Sequence, residues 1–265
     1  LLGLIGGMGQ VAVAFSGGVD SSYLLAACMD ALGVENVLAV TVDSPLLPRE
    51  ELETARQVAE QLGACHEIVQ VDEVTIPEIA ANPPDRCYYC KRTRFEGLQA
   101  FATHSEASYT LLHGENTDDL FDYRPGSRAA EELGVRAPLA EAGLTKEEIR
   151  VLSRLRGLPT WNHPTAACLA TRFPYGEALT REGLARVEAA EAALHRLLGM
   201  RGLRVRDHNP VARIEVSPEM IPRLAAEPLR SEVTRALRQA GYQYVALDLD
   251  GYRMGSMNDQ LESSR

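Results

Sequence analysis

The 265-residue chain is short of positive charge: 27 Lys and Arg stand against 37 Asp and Glu, a formal net charge of −10. A broad nucleic-acid-binding face needs clustered cations to neutralise phosphates, so this balance argues against one while leaving room for a local basic pocket. No apolar run is long enough to span a membrane. The opening Leu1–Gly9 is apolar but has no basic segment and runs straight towards a strand, so it does not read as a signal peptide. It lacks an initiating Met and is expected to be a trimmed N-terminus. Five cysteines, unevenly spread, make no disulfide framework. The expected compartment is therefore the cytoplasm. The chain shows no internal repeat, low-complexity tract or glutaminase domain. The Gly-Lys-Ser/Thr ending of the common phosphate-binding loop is also missing.

What is there begins with Val11-Ala-Val-Ala-Phe-Ser16-Gly17-Gly18-Val-Asp20-Ser21-Ser22. Val11, Val13 and Phe15, with alanines between them, form an apolar run without a polar face, as a parallel strand covered on both sides requires. Gly17 and Gly18 permit a sharp turn and close approach of backbone to a ligand. Asp20, Ser21 and Ser22 open a helix predicted to stop at Gly33. Strand, glycine turn and helix N-terminus make a nest of free N–H groups suited to a phosphate. The stretch resembles the SGGxDS loop of the ATP pyrophosphatase (PP-loop) family, which splits ATP between its α and β phosphates and adenylates a substrate. The resemblance implies that Ser16, Gly17, Gly18, Asp20, Ser21 and Ser22 hold ATP. It also implies that Asp20 serves catalysis by helping to hold Mg²⁺.

At 45% hydrophobic, a chain of this length buries one large core or two smaller ones. Its first half alternates strand and helix. Further strands are predicted at Asn36–Val42, Glu67–Val71 and Tyr109–His113, and helices at Arg49–Leu62, Asp85–Thr103 and Lys146–Arg156. Right-handed crossovers then give an α/β doubly wound parallel sheet with its ligand at the strand C-termini. Asp43 ends the second strand there. Gly114-Glu-Asn116-Thr-Asp118-Asp119 and Arg124-Pro-Gly126 follow the fourth. Asp43, Asn116 and Arg124 are candidate nucleotide contacts; the loop carboxylates hold Mg²⁺, orient ATP or stand in solvent. From Thr180 the pattern changes to a long helix, strands at Leu203–Arg206 and Ala212–Val216, a helical stretch over Pro218–Ala240 and a last strand at Tyr244–Leu249. The expected division is a nucleotide domain over 1–160, a bridging loop over 161–179 and a smaller α+β domain over 180–265.

Cys28 and Cys65 are expected to be small core residues. Cys87-Tyr-Tyr-Cys90 sets two thiols at i and i+3 on one face of a helix, and Cys168 lies in a loop of small residues that leaves a thiol accessible. Three readings stay open for this trio. Three thiolates hold a [4Fe–4S] cluster with one iron free; zinc binds with His163 or water as fourth ligand; or no metal binds and one thiol is a nucleophile. Arg204 and Arg206 alternate to one strand face, suiting a substrate phosphate through bidentate bonds or a solvated surface. Lys91, Arg92 and Arg94 face ATP or water.

Together these segments resemble one branch of the pyrophosphatases, the LarE family of ATP-dependent sulfur transferases that serves nickel-pincer nucleotide biosynthesis. The similarity runs through the Ser16 loop, Arg86-Cys-Tyr-Tyr-Cys-Lys91, Arg124-Pro-Gly126, Ala167-Cys-Leu-Ala-Thr-Arg172-Phe-Pro-Tyr-Gly176, Val205-Arg206, Arg213-Ile-Glu-Val216 and Asp248–Gly255. That is nearly the whole chain. It implies an adenine nucleotide alpha hydrolase-like fold and two stages of reaction. ATP adenylates a carboxylate of pyridinium-3,5-biscarboxylic acid mononucleotide, which is nicotinate-derived, and sulfur then displaces AMP to leave a thiocarboxylate. Single-cysteine members use the thiol at the Cys168 position, which attacks the acyl-adenylate and surrenders its sulfur. This chain also carries Cys87 and Cys90, and so resembles members in which three cysteines hold a [4Fe–4S] cluster whose open iron carries sulfide. By the same resemblance Glu215 is a metal or substrate contact; a salt bridge with Arg213 is the other reading. The implied partners are the mononucleotide, sulfide or a sulfur donor, and further copies of the chain in a hexamer, with no membrane or nucleic acid. The rivals are a tRNA-thiolating pyrophosphatase and an ATP-binding or iron–sulfur sensing module without catalysis.

Overall fold

The computed structural model describes residues 1–104, 109–121, 125–163, 167–200 and 202–253. The chain forms two compact units, Leu1–Glu73 with Asp85–Ala166, and Val74–Pro84 with Ala167–Arg265. Among the described residues the strands are β1 Val11–Ala14, β2 Val37–Asp43, β3 Cys65–Gln70, β4 Thr110–His113, β5 Arg204–His208, β6 Val211–Glu215 and β7 Tyr244–Leu247. Described helices of eight residues or more are α1 Val19–Leu32, α2 Arg49–Leu62, α3 Arg86–His104, α4 Pro125–Glu132, α5 Lys146–Leu155, α6 Arg181–Leu198 and α7 Leu229–Gln239.

The first unit is an α/β layer structure on a wholly parallel sheet of order β3-β2-β1-β4. Side chains alternate across a strand, and here both faces are apolar. Val11 and Val13 of β1, with Val37 and Ala39 of β2, pack against Leu24, Leu25 and Cys28 of α1 and Ala55 and Val58 of α2. Ala12, Leu38, Val40 and Leu111 pack on the opposite face against Phe95 and Leu98 of α3. This two-sided burial is the physical content of the doubly wound expectation. α2 closes at Gly63, whose left-handed backbone lets its N–H reach Ala59 and Glu60. α5 opens with a capping box between Thr145 and Glu148.

In the second unit, β5 and β6 form an antiparallel hairpin and β7 adds to β6 in parallel, a small mixed sheet. Val205, Ala212 and Ile214 face Ala190 and Leu194 of α6 and Val233 and Leu237 of α7. Residues 74–84 join this unit through backbone bonds from Leu179 to Ala80 and from Gly176 to Asn82. Asn82 itself is fully buried and donates to Pro174 O at 2.7 Å.

The structure departs locally from the sequence reading in three places. A helical turn at Leu2–Ile5 precedes β1 and buries Ile5 in the core. Cys65 is exposed instead of core, because it opens β3, the edge strand of the sheet among the described residues. The helical stretch over 218–240 breaks into Pro218–Met220, Ile221–Ala225 and α7. Pro222 and Pro228 supply no N–H to continue a helix through them. Among the described residues no helix is long and apolar enough to cross a membrane.

Candidate active site

β1 feeds a turn braced by its own hydroxyls. Ser16 N donates to Ser21 Oγ at 3.2 Å, Ser21 Oγ donates to Gly18 O at 3.3 Å, and the Ser16 and Ser21 hydroxyls lie 3.1 Å apart. Gly17 has φ +72°, and a Cβ there would sit 2.8 Å from Ala55 Cα, so only glycine lets the turn lie this close on α2. Gly18 then caps α1 in extended backbone. Ser22 Oγ and Asp20 Oδ1 are buried without a hydrogen-bond partner. Buried polar atoms left unmatched are costly and few. Here they stand at a helix N-terminus, an end of a helix that suits an oxyanion. Asp20 Oδ2 is ion-paired to Lys146 Nζ.

The loop after β4 completes this arrangement. A Cβ on Gly114 would come within 2.9 Å of Ser21 N, so the loop is pressed onto the first turn of α1. Asn116 is buried, accepts from Asp118 N at 3.0 Å, and donates its own N–H to Asp119 at 3.2 Å. Asp118 in turn accepts from Lys146 N at 2.9 Å. These acids therefore shape the loop and seat Lys146 against Asp20.

Beside the turn, at the C-terminal ends of β1, β2 and β4, lies a cavity of about 250 Å³ lined by Phe15, Ser16, Val42, Lys91, Phe95 and His113 among others. Burial, and then the Lys91 charge, push the His113 pKa down to about 3, so its ring is neutral. Lys91 Nζ lies 3.7 Å from the buried Glu115, which also accepts from Ser127 Oγ. Only two of the chain's basic residues are lysines, Lys91 and Lys146, and both stand in this site. Asp43 gives one oxygen to Arg49 and the other to Gln70. Burial raises its pKa, but these two hydrogen bonds outweigh that and hold the carboxyl below the usual range. Arg124 lies outside the described residues.

Cys87 is exposed and Cys90 buried at the start of α3, with Arg86 Nη2 4.0 Å from Cys87 Sγ. Cys28 is a core thiol whose pKa burial pushes up to about 12. Among the described residues no three His, Cys, Asp or Glu side chains meet as a metal site.

In the second unit, Cys168 caps a helical turn at Leu169–Arg172 and is half-buried. Arg206 is buried, bonded to Glu215 at 2.6 Å and to Thr171 O at 2.6 Å. Glu215 also lies 3.1 Å from Arg213, so its carboxylate sits between two guanidiniums. Arg204 is half-buried, stacks 5.2 Å above the Tyr252 ring and bonds to Leu203 O. Burial, then the neighbouring Arg172, push its pKa down. Sequence reasoning gave no site role to Lys146, His113, Arg172 and Glu191, because the charged groups that set their roles (Asp20 for Lys146, Lys91 for His113, and Arg172 and Glu191 for each other) lie far apart along the chain.

A parallel sheet whose first strand runs into this glycine turn, with a pocket at the strand ends, defines a PP-loop ATP pyrophosphatase. The NAD synthase family profile, also of this class, matches residues 6–84. The chain is 40% identical to the pyridinium-3,5-bisthiocarboxylic acid mononucleotide synthase of Lactiplantibacillus plantarum, over 97% of this chain and 91% of that protein. It is 44% identical to the uncharacterized protein slr1717 of Synechocystis, over 96% and 93%. It is 28% identical to the uncharacterized protein MJ0830 of Methanocaldococcus jannaschii, over 92% and 91%. The chain belongs to the pyridinium-3,5-bisthiocarboxylic acid mononucleotide synthase (LarE) family of ATP-dependent sulfurtransferases.

Proposed function

We propose that the chain adenylates a carboxylate of pyridinium-3,5-biscarboxylic acid mononucleotide with ATP and then exchanges AMP for sulfur to give the thiocarboxylate. The observation that carries this reading is the phosphate-binding turn at Ser16–Ser22 with its two unmatched buried oxygens, beside a cavity with room for a nucleoside. The β and γ phosphates sit on the N–H groups of the turn, and the adenosine lies in the cavity against Phe95 and the neutral His113. Asp20 would hold Mg²⁺, which would supply charge neutralisation for the leaving pyrophosphate. Lys146 adds a fixed positive charge at the same place. Substrate carboxylate oxygen attacks the α-phosphorus, the bond to the β-phosphate bridge breaks, and pyrophosphate departs. In the second stage a sulfur nucleophile bonds to the acyl carbon as the bond to AMP breaks. Arg204 takes the mononucleotide phosphate, and Arg206 with Glu215 holds the strand that presents it.

We take Cys87, Cys90 and Cys168 as ligands of a [4Fe–4S] cluster carrying the sulfide, with Cys168 as sacrificial donor the alternative. Residues 161–179 as a bridge between domains, a cytoplasmic location and a hexameric assembly belong to the same proposal.

Anaerobic incubation with ATP, Mg²⁺ and the dicarboxylic mononucleotide tests the first stage. Pyrophosphate and AMP release that depends on the mononucleotide, with a product mass showing oxygen replaced by sulfur, is expected. Release stimulated by bulk tRNA and indifferent to the mononucleotide overturns it. Iron and acid-labile sulfide present in the protein and lost in Cys87→Ala support the cluster. An iron-free protein that loses H₂S from Cys168 in one turnover supports the sacrificial route.

A further inference from the structure

The turn that presents Cys168 is gripped through its backbone by two guanidinium groups. Arg172 Nη1 donates to Ala167 O at 2.8 Å, Cys168 O at 3.0 Å and Thr171 Oγ1 at 2.9 Å. Arg206 Nη1 takes Thr171 O at 2.6 Å. The carbonyls of Ala167 and Cys168 flank the Cys168 Cα, so bonding both fixes the torsions that aim the side chain. On its other edge Arg172 meets Glu191 fork to fork, Nε to Oε1 at 2.9 Å and Nη2 to Oε2 at 2.8 Å. Glu191 Oε1 also accepts from Val205 N at 2.9 Å, which ties the frame to β5 as well as α6.

Arg172 is 3% exposed and Glu191 6%. Taking such a pair out of water is costly, and apolar side chains of similar volume often serve stability as well or better. An apolar side chain cannot offer a rigid plane of N–H donors with one edge for a counter-ion and another for two carbonyls. Leu169, Ala170 and Phe173 are buried on the same turn, leaving Cys168 as the thiol it presents. A sulfur nucleophile that attacks an acyl carbon must be held in line, and small displacements cost rate.

We propose that Arg172, with Glu191 as its fixed counter-ion, is the positioning residue for the Cys168 thiol. The inference rests on the sacrificial-donor reading of Cys168, the alternative to the cluster, and it adds the side chains that aim the thiol.

The test compares the wild type with Arg172→Lys and with Arg172→Gln/Glu191→Gln. The double variant removes both charges together and so avoids stranding a buried carboxylate. Alkylation of Cys168 by iodoacetamide is followed by peptide mass spectrometry, with the exposed Cys65 as internal reference. Amide hydrogen exchange of the 167–173 peptide and single-turnover thiocarboxylate formation are measured on the same samples. In the double variant the Cys168-to-Cys65 alkylation ratio should rise at least fivefold, exchange of the turn should speed up, and thiocarboxylate formation should fall at least tenfold. Lysine keeps the charge but not the fork, so Arg172→Lys should shift all three in the same direction. Alkylation and exchange within twofold of wild type in the double variant overturn the proposal, as does a fully wild-type Arg172→Lys. Looser alkylation and exchange with unchanged thiocarboxylate formation support the positioning of the thiol and overturn the reading of Cys168 as the sulfur-handling group.

Discussion

Gly17→Ala tests the claim that the phosphate-binding turn exists only because glycine occupies its tightest point. Two costs add. An L-residue forced to φ +72° loses about 1–2 kcal/mol. Its Cβ would then stand 2.8 Å from Ala55 Cα and 3.0 Å from Ala55 N, both backbone atoms of α2 that cannot swing aside. Overpacking of that kind costs about 1–3 kcal/mol. The sum, about 2–5 kcal/mol, corresponds to a drop in Tm of roughly 4–20 °C at about 2–4 °C per kcal/mol. Gly9→Ala separates the two terms, because Gly9 has φ +71° and a Cβ added there would meet no atom within 4 Å. It should lose only the strain term, roughly 2–8 °C. Thermal unfolding by circular dichroism of both variants, with pyrophosphate binding by calorimetry in Mg²⁺, reads out the difference. Gly17→Ala should weaken pyrophosphate at least tenfold while Gly9→Ala stays within twofold of wild type. Ala55→Gly added to Gly17→Ala should recover little, since Ala55 Cα stays in place. Equal Tm values for the two single variants, with pyrophosphate binding intact in both, would refute the close-approach argument.

Other outcomes follow from the same geometry. His113 has a folded pKa of about 3 against an ordinary 6.5, so between those values the unfolded chain binds a proton that the folded chain refuses. Stability should therefore fall as pH drops through that window, by up to about 1.4 kcal/mol per pH unit. His113→Gln should flatten the slope; superimposable urea-denaturation curves across pH for the two proteins would sink the assignment. With two lysines in the chain, amine acylation reads the two halves of the proposed nucleotide site separately. Adenosine should protect Lys91 alone and ATP with Mg²⁺ both, while Lys146→Gln weakens pyrophosphate binding on the order of tenfold, near 1.4 kcal/mol; protection of Lys91 by pyrophosphate alone contradicts the placement. Arg206→Ala strips one partner from the buried Glu215 and should cost about 3 kcal/mol of stability. Arg204→Ala, by contrast, should leave Tm nearly unchanged and weaken the mononucleotide; the reverse pattern in melting and titration would exchange the roles of the two arginines.

Much of the fold is written locally. The uninterrupted apolar run at Val11–Phe15, Gly17, and the Asp-Ser-Ser opening of α1 lie within a dozen residues, and together they specify strand, turn and helix N-terminus before any long-range contact forms. The apolar runs of β2 and β4 and the amphipathic face of α2 with its Gly63 stop are equally local, since burial along one element is encoded by side-chain period. The same information located Arg204 and Arg206 on one strand face, which the hairpin register Arg204↔Glu215 and Arg206↔Arg213 preserves.

The chain's own periodicity does not encode which group meets which across the fold. Asp20 and Lys146 are 126 residues apart, and their pairing depends on the Gly114–Asp119 loop lying against α1. His113 looks like any histidine at a strand end until Phe95 and Lys91 of α3 close over it. Arg172 reads as a loop arginine, yet α6 places Glu191 against it and commits it to the Cys168 turn. Arg206 looked like Arg204 from the strand, but β6 sets Glu215 at its head, while Arg204 meets Tyr252 instead. Local sequence determined the strand, the turn and the helix because those depend on near neighbours and burial period. Tertiary structure decided the charge pairs, because desolvation and partnership are set by what a distant element brings within a few ångströms.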